Sequence, residues 1–378
     1  SDPLVGRVEG QGPKPPEGYV PPLISNGELN MLVEWTGGQS DTTYFRLEPT
    51  VYWQGRRGPA REAELFGFGK FMPEMKIDGV DAGLPSAWSQ TLDIFKARTI
   101  CRGSFTGGIE AVTEVFCSLH GNVIAIRRRV RNSGSVSRQV HLGLGYRLPA
   151  HDRLTGSWSD GPRQRMYRGT TYGQNVIGFD ILITAADRGD LSRTFCLGPG
   201  EESVMDWFIT YSDTFEKNRT RVPEVSWDEL FRRHAAAWAD YYAESHVKLP
   251  DPVLQRMYDV QQYHLRCIAT RWGFPVGVFP SHWQGKYFGF DAMYMHDGLV
   301  SAGHFSVAQR CPDWRQSVIG WALRRQSHYG RRGKYGARWM WMSLEEGDVE
   351  TAGVGFWLDH IFAMGAIARS AWPQYTYS

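Results

Sequence analysis

The chain has 378 residues, 42% of them hydrophobic and 22% charged, a globular composition whose length exceeds one ordinary core and makes two domains the default. A formal net charge of +2 argues against a dedicated nucleic-acid binder, which carries a basic face or stripe. No apolar run reaches the length of about 18 residues that a spanning helix needs, so no membrane partner is expected.

From the start to about residue 220 the pattern is β, in short alternating or β-branched runs broken by Gly, Asn, Asp and Pro. The first twenty or so residues, rich in Pro and Gly, read as an extended arm. Segment 112–119 alternates apolar and polar residues, His120, Gly121 and Asn122 make a turn, and 123–130 resumes as a strand. Residues 131–134 turn again and 139–146 follows as the next strand. Strands at this spacing without intervening helices predict an antiparallel sandwich. The run Arg127, Arg128 and Arg129 reads as solvated or paired surface charge, as does the pair Arg331 and Arg332.

The period changes near Pro223. Ser226 with Glu229 three residues later has the capping-box pattern of a helix start. The helix carries Leu230, Phe231, His234, Ala237, Trp238 and Tyr241. Asp251 and Pro252 open a second helix, whose apolar spacing is carried by Leu254, Met257, Tyr258, Gln261, Leu265 and Ile268. Further helical pieces are predicted at 291–305, 313–329 and 358–371. The expected domains are a β-sandwich over 1–222, a helical linker over 223–249 and, over 250–378, the first part of a ring of helical hairpins.

Aromatic residues are dense: 15 Trp, 17 Tyr and 19 Phe. Most belong to cores, yet the tryptophans thicken towards the C-terminus. The run from Ser281 to Asp297 mixes five rings with His282, Lys286, Asp291, His296 and Asp297. An apolar core has no use for those polar heads, and an exposed loop has no use for the rings. The mixture suits a concave site that stacks a flat apolar face and hydrogen-bonds a polar rim, which is the character of a sugar. The five cysteines are scattered without a CxxC pair, so buried free thiols are expected over a Cys101–Cys117 bridge. Neither a metal nor a cofactor is called for, because no ligand-spaced His/Cys cluster occurs. The Ser1-Asp2-Pro3 start and the Asn218-Arg219-Thr220 sequon give an expectation of a secreted or periplasmic protein.

Several segments resemble a known group. Leu23-Ile24-Ser25-Asn26-Gly27 is similar to an early Asn-Gly turn, and Trp238-Ala239-Asp240-Tyr241-Tyr242 to a linker signature. Gly285-Lys286-Tyr287-Phe288-Gly289-Phe290-Asp291 resembles a G-H-x-F-W-D loop, and Gly336-Ala337-Arg338-Trp339 with Trp341 and Ser343 resembles a G-A-R-Y-P-W-x-S loop. In these segments the chain resembles glycoside hydrolase family 65 and its relatives, which include maltose, kojibiose and trehalose phosphorylases and acid trehalases. The resemblance implies a multi-domain β + α chain: an antiparallel β-sandwich, a helical linker and part of an (α/α)6 toroid. It implies a carbohydrate substrate and places Asp291 on the hydroxyls of the innermost sugar. Trp283, Lys286, Phe290, Arg338, Trp339, Trp341, His282 and Trp357 would build the rest of the binding site.

Glycosidic cleavage needs a carboxylic acid to protonate the leaving oxygen, and an inverting enzyme adds a carboxylate that activates water. Where the resembling family carries its acidic Glu, this chain has none. Asp359 is the nearest acid, with Glu350 and Glu346 upstream. An aspartic acid can serve if burial raises its pKa. The family layout also implies that a second chain or a further C-terminal segment completes the toroid and supplies the general base. The expected activity is an inverting glycoside hydrolase; the alternatives are a glycoside phosphorylase on the same fold and a non-catalytic carbohydrate-binding protein. A polysaccharide lyase using Tyr287 and His282 is a weaker reading, because such lyases place the sandwich after the toroid.

Overall fold

The computed structural model describes residues 4–53, 67–148, 154–171, 178–213, 222–277, 287–326, 337–339, 342–343 and 362–377. Its first part is a sandwich. One face is a nine-stranded antiparallel sheet, in the spatial order Leu4–Gln11, Ala87–Asp93, Arg98–Phe105, Ile109–Cys117, Val123–Asn132, Glu202–Asp213, Gly178–Ala185, Gln164–Thr171 and Leu154–Asp160. Opposite lie a four-stranded sheet (Arg193–Leu197, Arg138–Arg147, Lys70–Ile77, Val80–Asp81) and a three-stranded one (Leu23–Ser25, Leu29–Leu32, Val51–Trp53). Alternate side chains from all three, among them Ile24, Trp53, Phe71, Ile126, Leu142 and Trp207, meet in one core.

Three expectations need correction here. The opening residues are not only an arm: Leu4–Gln11 pairs with Ala87–Asp93 as an edge strand of the large sheet. The arginine run divides by face, because successive strand residues point to opposite sides. Arg127 pairs with Asp206 at 2.7 Å and Asp228 at 2.6 Å, whereas Arg128 is buried and donates to the Pro73 carbonyl at 2.9 Å. Cys196 is exposed; the other four thiols are buried and all five are free. Strand register explains why no bridge forms, since Cys101 lies opposite Thr113 while Cys117 lies opposite Ile124.

The last strand of the sandwich ends at Asp213 and helix α1 spans Trp227–Glu244. Ser226 caps it, accepting from the Glu229 N–H at 3.2 Å. The reciprocal half of the capping box is missing because Glu229 is held instead by Arg232 and Arg233. Trp227, Leu230, His234, Trp238 and Tyr241 form the buried stripe. Helix α2 (Pro252–Ile268) starts as expected, with the Asp251 carboxylate accepting from the N–H groups of Val253 and Leu254.

The buried face of α2 differs from the expected one. Leu254 and Met257 are exposed, while Gln262, Tyr263, Arg266 and Cys267 are buried. Only the C-terminal half of the helix is pressed against the sandwich, and the tyrosine fixes its rotation by donating to the Leu23 carbonyl at 2.7 Å. The remaining helices are α3 (Gly289–Ser301), α4 (Phe305–Ala308), α5 (Arg310–Ser317), α6 (Ile319–Gln326) and α7 (Phe362–Tyr377). The predicted piece 291–305 is interrupted at Gly303, which takes φ +83°. The piece 313–329 is divided at Val318, and the described part of 358–371 belongs to α7, which runs on to Tyr377. No described helix is long and apolar enough to cross a membrane.

A second core joins Leu23 and Leu32 of the sandwich to Trp238, Tyr263, Cys267, Leu299 and Val307 of the helices. The Asn26–Gly27 turn is the clamp at this seam. Ser25 Oγ donates to the Cys267 carbonyl at 2.9 Å, and Gly27 has φ +96° with space for no side chain: a Cβ would lie 2.1 Å from the Ala269 oxygen. Gly27→Ala is therefore expected to cost roughly 1–3 kcal/mol from the backbone conformation, with the clash adding to it. Urea unfolding checks this; an unchanged midpoint would mean that the seam carries no such constraint.

Candidate functional site

Two segments singled out in the sequence, far apart along the chain, come together in the structure. Tyr287–Phe288 and Met342–Ser343 form an antiparallel pair, with Tyr287 opposite Ser343 and Phe288 opposite Met342. This pair brings the segment preceding Asp291 alongside the one following Arg338 and Trp339. Helix α3 begins directly after the first strand and packs along α7. Gly289 permits the approach, since a Cβ there would meet the Ile367 side chain at 3.2 Å. Arg369 of α7 pairs with Asp297 of α3 at 2.9 Å.

The pair is held from behind by Arg315, a residue that the sequence reading missed. Its side chain is buried; Nη1 donates to Ser343 Oγ at 2.9 Å and Nη2 to the Tyr287 carbonyl at 3.3 Å. The guanidinium lies 4.4 Å from the Trp314 ring centroid and 5.4 Å from that of Trp339. Burial pushes its pKa down to about 10. No spacing rule exposes such a residue; the signal was an arginine beside a tryptophan in a short helix. Tyr287 is fully buried with its hydroxyl 3.1 Å from Thr270 Oγ1, so it is not presented to a substrate.

At the N-terminal end of α3, Phe290 is 41% exposed and meets Tyr294 at 5.1 Å and Phe362 at 5.6 Å between ring centroids, both edge to face. The first residue of α7 thus joins the first turn of α3 in an exposed aromatic cluster. Asp291 sits in that turn, half-buried. It does not cap the helix: the cap position is Phe288, which has no side-chain bond to give. Among the described residues, the Asp291 carboxylate meets only its own backbone N–H. Burial raises its pKa above the ordinary carboxylate value, and that N–H opposes the shift.

A cavity of about 480 Å³ lies between α3, α5, α6 and α7, lined by Gly289, Ala292, Arg315, Trp339, Ile367 and Ser370 among others. Asp291 is not in its wall; Gly289 and Ala292, three apart on the helix, share the face turned to the cavity. Trp339 does line it, and its N–H meets Met364 Sδ at 3.1 Å. Arg338 is half-buried and its N–H donates to the Ala322 carbonyl at 2.9 Å. His296 is wholly buried on α3 beside Gln374, with its pKa lowered mainly by burial. His282, Trp283, Lys286, Trp341, Glu346, Glu350, Trp357 and Asp359 lie outside the described residues. Among those described, no cluster of His, Cys, Asp and Glu is arranged to hold a metal.

No family model and no curated protein matches the sequence. Solved structures do. A provisionally assigned kojibiose phosphorylase from the human microbiome superposes with a TM-score of 0.65 at 10% identity, covering 98% of this chain and 56% of that one. A bacterial glucoamylase in complex with acarbose gives 0.46 at 8% identity over 86% of this chain and 51% of its own. A family GH92 α-mannosidase from Bacteroides thetaiotaomicron gives 0.37 at 9% identity over 95% and 55%. The first of these carries weight, and what it shows is the fold: the chain has the architecture of that structure. It spans about half the length of each of these three structures.

Proposed function

We propose that the chain provides the sugar-binding part of a carbohydrate-active enzyme that breaks a glycosidic bond, by hydrolysis with inversion. The observation that carries this reading is the convergence at the mouth of α3 and α7: a half-buried carboxylate without a side-chain partner among the described residues, three exposed rings, and two strands that join the Asp291 and Trp339 segments. A carboxylate accepts from two hydroxyls at once, and aromatic faces take the C–H side of a sugar ring. Trp283, Lys286, His282, Trp341 and Trp357 would complete the subsites. Asp359, with Glu350 and Glu346 as alternatives, would donate the proton.

The helices are part of an (α/α)6 toroid in this reading, and further helices, from a second chain or more of the same polypeptide, complete it. Exposed rings on the two facing helices, Tyr294 at 57% and Trp372 at 66%, support that requirement. The fold likeness to a provisionally assigned kojibiose phosphorylase favours a second reading, in which phosphate replaces water and a sugar 1-phosphate is released.

Asp291→Asn tests the binding role. Each charge-assisted bond contributes about 1.5–3 kcal/mol, so kcat/KM should fall about ten- to a hundredfold or more. Stability should not fall with it. Burial raises the folded-state pKa, so ionising Asp291 costs stability as pH rises through that pKa and contributes nothing below the unfolded value. The asparagine variant lacks that cost and should be at least as stable at neutral pH. Equal loss of stability and activity would assign Asp291 to the fold.

A further inference from the structure

A separate cavity of about 390 Å³ opens at the seam between sandwich and helices, lined by Asn26, Glu28, Asn122, Arg266, Arg271 and Arg310 among others. Its charges do not balance. Arg271 is committed to Glu28 through a two-pronged pair at 2.5 and 2.7 Å, and Asn122 Nδ2 donates to the same carboxylate at 3.2 Å. Arg310 feels the Glu28 charge without bonding to it among the described residues: its Nη1 donates to the Ala269 carbonyl oxygen at 3.1 Å. Arg266 is only 7% exposed, and its Nη1 has no acceptor among the described residues. Its other neighbour is the Trp238 ring, 5.9 Å away. Among the described residues, three guanidinium groups thus share the Glu28 carboxylate in this lining, and the buried Nη1 of Arg266 has no partner.

A buried charge in that state is costly unless something pairs with it. Burial, and then the nearness of Arg310, push the Arg266 pKa down to about 10, which still leaves it charged near neutrality. The rim is already rigid. Asn26 Nδ2 donates to the Ser118 and Gly121 carbonyls at 3.1 and 3.0 Å, and its Oδ1 accepts from the Glu28 and Leu29 N–H groups. Arginine forks match the oxygens of a phosphate, and the volume falls in the range of small-ligand pockets, about 300–1,000 Å³.

We infer that this cavity binds a phosphate-type oxyanion, as the free ion or as the phosphoryl group of a small molecule, between Arg266 and Arg310. It is distinct from the mouth of α3 and α7. Arg310 turns towards the seam, whereas its chain neighbours Gln309 and Cys311 line the cavity between α3, α5, α6 and α7. The anion neutralises Arg266 and ties the sandwich turn to the end of α2, so it favours the folded seam by mass action.

Isothermal titration in chloride buffer at matched ionic strength, with inorganic phosphate in one arm and α-glucose 1-phosphate in the other, tests this. Saturable one-to-one binding is expected, and Arg266→Met should weaken it about ten- to a hundredfold. In chloride alone Arg266→Met should melt no lower than the parent, because its buried charge is gone, and phosphate should raise the melting temperature of the parent only. If that variant fails to fold, Arg310→Gln reads the same site and should also lose affinity. Tighter binding of the sugar phosphate assigns the phosphoryl group of a small molecule; equal or tighter binding of phosphate assigns the free ion. No saturable binding of either, or affinity unchanged in the folded variants, overturns the inference.

Discussion

Replacing Asp359 by asparagine is expected to lower kcat by about 10²–10⁴-fold, the range for loss of a positioned general acid, while sugar binding persists. The side chains have nearly the same shape, but an amide cannot hand a proton to the departing oxygen, so the loss falls on the transition state and not on the ground state. Asp359 stands three residues before Phe362 in the sequence, and the Phe362 ring lies 5.6 Å from that of Phe290, the neighbour of Asp291. In the proposed reading, the candidate acid is therefore three residues along the chain from a ring that meets the neighbour of Asp291. If Asp359→Asn turns over normally and Glu350→Gln or Glu346→Gln does not, the proton donor is the glutamate. If all three retain activity, the acid is elsewhere.

The largest expected loss of stability is Trp238→Ala, at about 3–5 kcal/mol. The indole is fully buried where the sandwich meets the helices. It stacks on Tyr263 at 5.2 Å and contacts Tyr241, Tyr242 and His234. Its Nε1 has no acceptor among the described residues, so truncation forfeits packing and leaves a cavity without breaking a hydrogen bond there. Urea unfolding followed by fluorescence reads the effect. Tyr375→Ala, at a side chain 80% exposed, should stay within about 0.5 kcal/mol of the parent and serves as the control. A Trp238 variant as stable as that control would show that the seam is not a cooperative core.

The sandwich was legible because its signal is local. Alternation over 112–119 and 123–130 and the turns between them recur as Ile109–Cys117 and Val123–Asn132, paired in register. The helix caps at Ser226 and Asp251 were legible for the same reason. The face of α2 was not, because apolar spacing alone made Leu254 and Met257 the inner stripe, whereas a hydroxyl bond to Leu23 and packing around Cys267 set the rotation. Such a choice depends on a partner some 240 residues away and leaves no periodic trace.

At the mouth, the two aromatic segments were recognisable by composition, and their pairing through Tyr287–Phe288 and Met342–Ser343 needed the third dimension. Arg315 and Arg266 show the limit most clearly. Each looks like an ordinary helical arginine, and only burial reveals one as a strut and the other as a guanidinium whose Nη1 has no partner among the described residues.

The most direct test of the account is to incubate the protein, alone and with a preparation that supplies the rest of a toroid, with a panel of disaccharides and to follow the anomeric protons of the products by NMR. The account predicts bond cleavage with inverted configuration at the released anomeric carbon, as free sugar or, if phosphate is required, as a sugar 1-phosphate, and its loss in Asp359→Asn. Retention of configuration, or a complete toroid that neither cleaves nor binds any sugar in the panel, would contradict it.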